Sequence, residues 1–208
     1  MGVGAGNEGQ GGLDLIGNLA ISDSFAVRGS FHGTRLEGVQ ENVVGGDEGF
    51  IDKDALRLSA RWNVSDSVEA ILTLDRSQAE TRVLNGNYNP DLQIFNDTVT
   101  LDAGSTYPDK VGYSALNEEI VQTDGADLRL TWDVNESLVL TSITDYRSYE
   151  YSYVYDLDGS QADTLLGSAF FLPPVSLQFD QPEINQESLS QELSINGFTD
   201  SLDWFVGG

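Results

Sequence analysis

Apolar and polar residues alternate along much of this chain, in paired runs joined by short polar turns. The stretch ADLRLTWDVNESLVLTSITD, residues 126–145, is one such pair. Leu128, Leu130, Trp132 and Val134 share one side of a period-two repeat, the signature of a strand with two unlike faces. The turn Asn135-Glu136-Ser137 has three relatives: Ser22-Asp23-Ser24, Ser65-Asp66-Ser67 and Thr199-Asp200-Ser201. Each places small polar and acidic side chains where they bond nearby backbone groups in a tight turn. Four hairpins follow, with eight strands near 13–21, 25–33, 54–64, 68–77, 126–134, 138–148, 187–197 and 202–208.

The connections between hairpins are long, roughly 33–53, 78–125 and 149–186. All five prolines fall in the last two, outside every expected strand, as a hydrogen-bonded ladder requires. Short turns alternating with long loops are unusual for a soluble domain and usual for an outer-membrane barrel. The faces agree. Pairing Val64 with Val68 collects Leu56, Leu58, Ala60, Trp62, Val64, Val68, Ala70, Leu72 and Leu74 on one face. The opposite face takes Arg57, Ser59, Arg61, Asn63, Glu69, Ile71, Thr73 and Asp75, with Arg57 opposite Asp75. The third hairpin puts Asp127, Arg129, Thr131 and Asp133 inward, and its second strand is less regular. In the first, Leu15, Leu19, Ile21, Phe25, Val27 and Phe31 share a face; in the fourth, a four-residue turn is expected to set Ile195 against Trp204. Trp62 and Trp132 lie three residues before their turns and Trp204 three after its own. That spacing predicts an aromatic girdle at one membrane interface, against the alternative of a tryptophan layer inside a sandwich.

Charge narrows the partners. With 34 acids against 10 bases the net charge is −24, which repels phosphate backbones and excludes nucleic acid. There is no cysteine, hence no disulfide framework or thiolate chemistry. No run reaches the roughly 18–20 apolar residues of a membrane helix. The N-terminal MGVGAGNEGQGG has no signal-peptide pattern, and the strand around LDWFVGG stops at Gly208, so the chain is read as a piece of something longer.

The segments ISDSFAVRGSFHG (21–33), ALRLSARWNVSDSVEAILTLDRS (55–77), ADLRLTWDVNESLVLTSITDYRSYEY (126–151) and ESLSQELSINGFTDSLDWFVGG (187–208) resemble, in order and spacing, the β-barrel portion of TonB-dependent outer-membrane receptors. The resemblance implies an all-β fold: a partial antiparallel transmembrane barrel, about eight strands of a larger plugged one. Residues 1–12 are then a Gly-rich junction from a plug, and 13–208 the truncated barrel region. The chain shows no plug, TonB-contacting segment, signal peptide or C-terminal aromatic strand. The implied role is energised uptake of a scarce nutrient (metal chelate, vitamin or oligosaccharide) across the bacterial outer membrane. The implied partners are membrane lipid, the TonB system acting through a plug, and a small-molecule or oligosaccharide ligand.

Candidate sites are few. Tyr149, Tyr151, Tyr153 and Tyr155, in a run that begins at Tyr146, share one face of YRSYEYSYVYDLDG. They suit stacking on a sugar or flat chelate, or serve as an upper aromatic girdle. Asp156, Asp158 and Asp163 suggest a calcium loop, but Gly167 stands where its Glu should be. No cofactor or metal site is expected: His32 is the sole histidine and has no ligand or triad partners in the pattern. Asn63, Asn96 and Asn135 are chance matches to a glycosylation pattern. Gly45-Gly46-Asp47-Glu48-Gly49 lacks the lysine of a phosphate loop. No nucleophile–base pair supports an enzyme. Two alternatives remain: a self-contained small outer-membrane barrel serving as adhesin or anchor, and a secreted acidic ligand-binding β-protein. The acidity fits either steering of cationic ligands or a salty habitat.

Overall fold

The computed structural model describes residues 1–7, 9–42, 45–84, 110–113, 115–157 and 178–208. Its strands are β1 Gly2–Ala5, β2 Gly11–Ala20, β3 Phe25–Leu36, β4 Glu41–Asn42, β5 Ile51–Ser65, β6 Val68–Arg82, β7 Lys110–Val111, β8 Glu118–Asn135, β9 Leu138–Asp156, β10 Gln178–Phe198 and β11 Asp203–Gly207. Nine of them form one sheet in the order β1-β2-β3-β5-β6-β8-β9-β10-β11, every described pairing antiparallel. The remaining two, β4 and β7, pair in parallel beside the long connections. All four expected hairpins are present.

The strands outrun their expected lengths. β5 begins at Ile51, β6 runs to Arg82, β8 starts at Glu118, β9 ends at Asp156, and β10 starts at Gln178. The expected loops 33–53, 78–125 and 149–186 are shorter by those amounts. Alternation of apolar and polar residues marks only the part of a strand whose two faces meet different media; the ladder continues above it. Two local corrections follow. Pro182 lies inside β10, at the register break between Gln181 and Ile184, where a bulge removes the need for its missing N–H. The other four prolines lie outside the described residues. β1 adds a strand within the Gly-rich segment: Gly2–Ala5 pairs with Gly11–Asp14.

Register is set at the short turns. In the second and third hairpins the ladder shifts by one residue beside the turn, between Asn63 and Ser65 and between Asp133 and Asn135. Val64 and Val134 are therefore bulged, and Ser65 rather than Val64 faces Val68. Beyond the shift the expected register holds, with Arg57 opposite Asp75. The fourth turn holds four residues, since Phe198 pairs with Asp203. Thr199 closes it, donating from Oγ1 to the Leu202 carbonyl (2.8 Å) and accepting from the Leu202 N–H (2.9 Å). Trp204 consequently faces Gly197, and Ile195 faces Val206, correcting the expected Ile195–Trp204 pair.

Pairing rows join the apolar residues of successive strands. Val27, Ala60, Leu72 and Leu128 form one row; Phe25, Trp62, Ala70 and Leu130 another; Val68, Trp132, Leu140, Ile195 and Val206 a third. Among the described residues no second layer covers them: Leu58 is 49% exposed, Leu72 42% and Trp62 51%. Among the described residues, the buried apolar side chains are Val111, Tyr113 and Ala115, all on the long-loop side. Residues 142, 144 and 191 interrupt the apolar face, and they satisfy one another. Thr144 Oγ1 donates to Gln191 Oε1 (2.5 Å) and Gln191 Nε2 to Ser142 Oγ (3.0 Å).

The opposite face carries ion pairs. Arg57, Asp75, Gly125 and Arg147 lie in one row across β5, β6, β8 and β9. Arg147 reaches over Gly125 to Asp75, Nη1 to Oδ2 2.8 Å, and holds Asp145 through Nε at 3.1 Å. Arg57 stands 3.7 Å from the same Asp75, and Arg61 pairs with Glu69 at 2.8 Å. A Cβ on Gly125 would lie 2.2 Å from Arg147 Nη1 and 2.9 Å from Asp75 Oδ2. Gly125→Ala therefore displaces the guanidinium and is expected to cost about 0.5–1.5 kcal/mol, the net worth of a hydrogen bond, because Arg147 is 43% exposed and its end can shift. Urea unfolding in detergent micelles measures it, and in an Arg147→Ala background the cost of Gly125→Ala should largely vanish.

Candidate functional site

The charged face continues upward into the aromatic run. Its odd-numbered residues point the same way as Asp145 and Arg147, because side chains alternate along β9. Tyr149, Tyr151, Tyr153 and Tyr155 thus share one face, as expected from their spacing. Their rings form a continuous ladder. Centroids lie 6.3 Å apart for Tyr149–Tyr151, 5.3 Å for Tyr151–Tyr153 and 4.9 Å for Tyr153–Tyr155. Phe179 of β10 stacks on Tyr153 at 5.7 Å with a 22° interplanar angle. Tyr146, even-numbered, sits in the row of Ala126 and Leu189 on the apolar face.

One carboxylate organises the ladder. Glu119 of β8 pairs directly with Tyr153, and its Oε1 accepts hydrogen bonds from the hydroxyls of Tyr151 (3.4 Å) and Tyr155. Burial and then the Glu119 contact push the Tyr155 hydroxyl well above its ordinary range, and Tyr151 shifts the same way for the same reasons. Both remain donors at neutral pH. Nearby bases are occupied or remote. Arg147 is held by two aspartates. Lys53 lies in the Tyr151 row but three strands away, through Ala79 and Val121.

A second cluster lies on the long-loop side, and sequence reasoning missed it. Glu48 is fully buried. Its Oε1 accepts from Asn42 Nδ2 and Asn117 Nδ2, each at 3.3 Å. Asn42 also brackets Tyr113, accepting from its N–H (3.1 Å) and donating to its carbonyl (3.4 Å). Asn117 Oδ1 accepts from the Asp156 N–H (3.0 Å), and Asp156 Oδ2 from the Ala115 N–H (3.2 Å). These bonds tie the segment around 42–48 to residues 113–117 and to the end of β9. Among the described residues Glu48 Oε2 has no hydrogen-bond partner. Burial pushes this carboxyl up to about 7, opposed by Asn117, Asn42 and the Arg82 charge and assisted by Asp156. The partners lie as far as 71 residues apart in sequence, so no local motif announces them.

The remaining expected positions are placed as follows. Trp62 and Trp132 lie on the apolar face, 51% and 46% exposed. The row of Trp62 passes through Leu130, two residues short of Trp132, and the row of Trp132 passes through Val206, two residues from Trp204. Trp204 lies flat across Gly197, where a Cβ would sit 2.0 Å from Cε2. His32 Nδ1 contacts Asp14 at 2.6 Å, an exposed pair. No group of three metal-ligating residues occurs among the described residues, and the rest of the expected calcium loop beyond Asp156 and Leu157 lies outside them.

No protein-family model matches the sequence, nor does any curated protein. Solved structures do match in fold. The ferric yersiniabactin uptake receptor FyuA from Yersinia pestis aligns over 97% of this chain with a TM-score of 0.62 and 17% identity. The copper transporter OprC aligns over 98% at 0.61 and 11%. The open form of the ferric-catecholate import receptor Fiu from E. coli K12 aligns over 96% at 0.60 and 15%. The chain spans only 28%, 26% and 31% of those proteins. These neighbours are TonB-dependent receptors, and the chain has the fold of part of their barrel.

The Glu48 cluster makes the long-loop side pH-sensitive. Its folded carboxyl binds a proton more tightly than an ordinary one at 4.5. Its stabilising contribution is therefore complete below about 4.5 and lost as pH rises through about 7. Amide exchange of residues 40–42, 45–48 and 115–117, corrected for intrinsic rate, should quicken across that interval. Glu48→Gln should flatten the response.

Proposed function

We propose that this chain is barrel wall from an outer-membrane receptor that takes up a scarce nutrient with TonB-coupled energy. One observation carries the reading: a nine-stranded sheet whose apolar face has no covering layer, while its other face is laced with ion pairs. A secreted sandwich needs a second sheet over that apolar face, and the described residues supply none. Hydrocarbon covers it in a membrane, and the polar face then lines the lumen. From Leu56 to Val64 the uninterrupted apolar stretch runs about 26 Å along the strand at 3.3 Å per residue, the scale of a hydrocarbon core crossed at a tilt. Trp62, Trp132 and Trp204 then form the girdle at the short-turn interface, where indole prefers the headgroup level.

The fold neighbours include receptors for ferric chelates and a copper transporter, and uptake without covalent chemistry fits this barrel wall. In this reading the long-loop side faces outward, and Tyr149, Tyr151, Tyr153 and Tyr155 contact the ligand above the membrane. Residues 1–12 lead in from a plug, with Gly2–Ala5 already part of the wall. The ligand is a metal chelate, a vitamin or an oligosaccharide.

Fractionation and uptake test this reading. The whole protein bearing this segment should sediment with outer membranes and run with heat-modifiable mobility. Growth on one limiting chelate, vitamin or oligosaccharide should require both this protein and TonB. A soluble protein, or uptake unaffected by loss of TonB, defeats the proposal. Within it, replacing Trp62, Trp132 and Trp204 together by Ala should lower the folding yield in lipid vesicles severalfold, while refolding in short-chain detergent changes less.

A further inference from the structure

Resting on the receptor reading, we infer that the tyrosine ladder selects ligands carrying positive charge on an aromatic frame and rejects anionic chelates. Three features converge. The four tyrosines and Phe179 form one aromatic strip on the face assigned to the lumen. Its open end is well exposed, with Phe179 at 44%. The strip supplies π-surface at low entropic cost, and electron-rich rings attract cations.

The charge in contact with the strip is negative. Glu119 holds two tyrosine hydroxyls through Oε1, which fixes a carboxylate against the ring edges. No base on the strip offsets it. Arg147, next below Tyr149 on this face, is occupied by Asp75 and Asp145. Arg82 stands against Glu118, and Lys110 against Glu41. Lys53 is three strands distant, roughly 14 Å at strand spacing. A chain of net charge −24 adds a long-range field of the same sign, and such fields raise the local concentration of cations. An anionic chelate meets repulsion at every step; a flat cation meets stacking, a carboxylate and steering together.

The test uses the whole receptor in detergent and equilibrium dialysis with two probes of similar aromatic shape. One is the cationic tris(1,10-phenanthroline)iron(II) complex. The other is the anionic tris complex of disulfonated bathophenanthroline. The cation should bind at least tenfold more tightly at low salt, with the gap narrowing as salt screens it. Glu119→Gln keeps an acceptor for both tyrosine hydroxyls and should weaken cation binding about three- to tenfold while leaving the anion no weaker or slightly tighter. Tyr151→Ala with Tyr153→Ala should abolish cation binding; Trp62→Phe should not alter it. Equal affinity, preference for the anion, no binding of either probe, or indifference to Glu119→Gln overturns the inference. Because outer-membrane location and TonB-dependent uptake are read separately, a receptor that passes those tests but lacks the charge preference disproves this inference alone.

Discussion

The backbone ladder is what the rest of the molecule depends on. Neither face of the nine-stranded sheet is covered among the described residues, so side-chain packing between layers contributes little. Order comes from strand-to-strand hydrogen bonds that run unbroken from Gln178 to Gln181 and from Ile184 to Gly197 along β9 and β10, and over comparable lengths elsewhere. In hydrocarbon this is a requirement as well as a resource, because an unpaired amide there has no water to turn to. Bulges are accordingly confined to the turn-proximal ends of two hairpins and to Pro182 near the upper end of β10.

Given that ladder, the two faces obey different rules. The apolar face needs bulk without charge, and its polar intrusion at Ser142, Thr144 and Gln191 is closed by mutual hydrogen bonds. The charged face needs neutralisation, and it achieves this across strands rather than between neighbours alone. Glycine serves both. Gly125 clears a path for Arg147 to reach Asp75, and Gly197 gives Trp204 a flat seat. Each is a position where the absent Cβ is the functional feature.

Sequence reasoning recovered what the difference between the faces encodes. Eight strands, four turns and the Arg57–Asp75 register were legible because each strand must sort its residues between unlike media. The same rule explains the misses. Above the apolar belt both faces meet polar surroundings, the period-two signal fades, and the extensions of β5, β6, β8, β9 and β10 could not be seen. β1 reads GVGA, with too few side chains to show a face. That the four tyrosines share a side followed from parity. Their dependence on Glu119 did not, since it rests on a register set by the turn at Asn135. The Glu48 cluster joins residues far apart in sequence through asparagine bridges, and such contacts leave no periodic trace.

The progression of the turns across the sheet carries a further geometric meaning. Ala26, beside the first turn, shares its row with Arg61, Arg129 and Glu192. These residues still stand well short of the closing positions Ser65, Asn135 and Phe198 at their own turns. The turns therefore descend by about one residue per strand, some 3.3 Å along for each 4.8 Å across. A slope of that size inclines the strands by roughly 35°, the angle at which a sheet can wind around an axis and meet its own edge. The pitch of such a winding is thus written into hairpin lengths, one polar turn at a time.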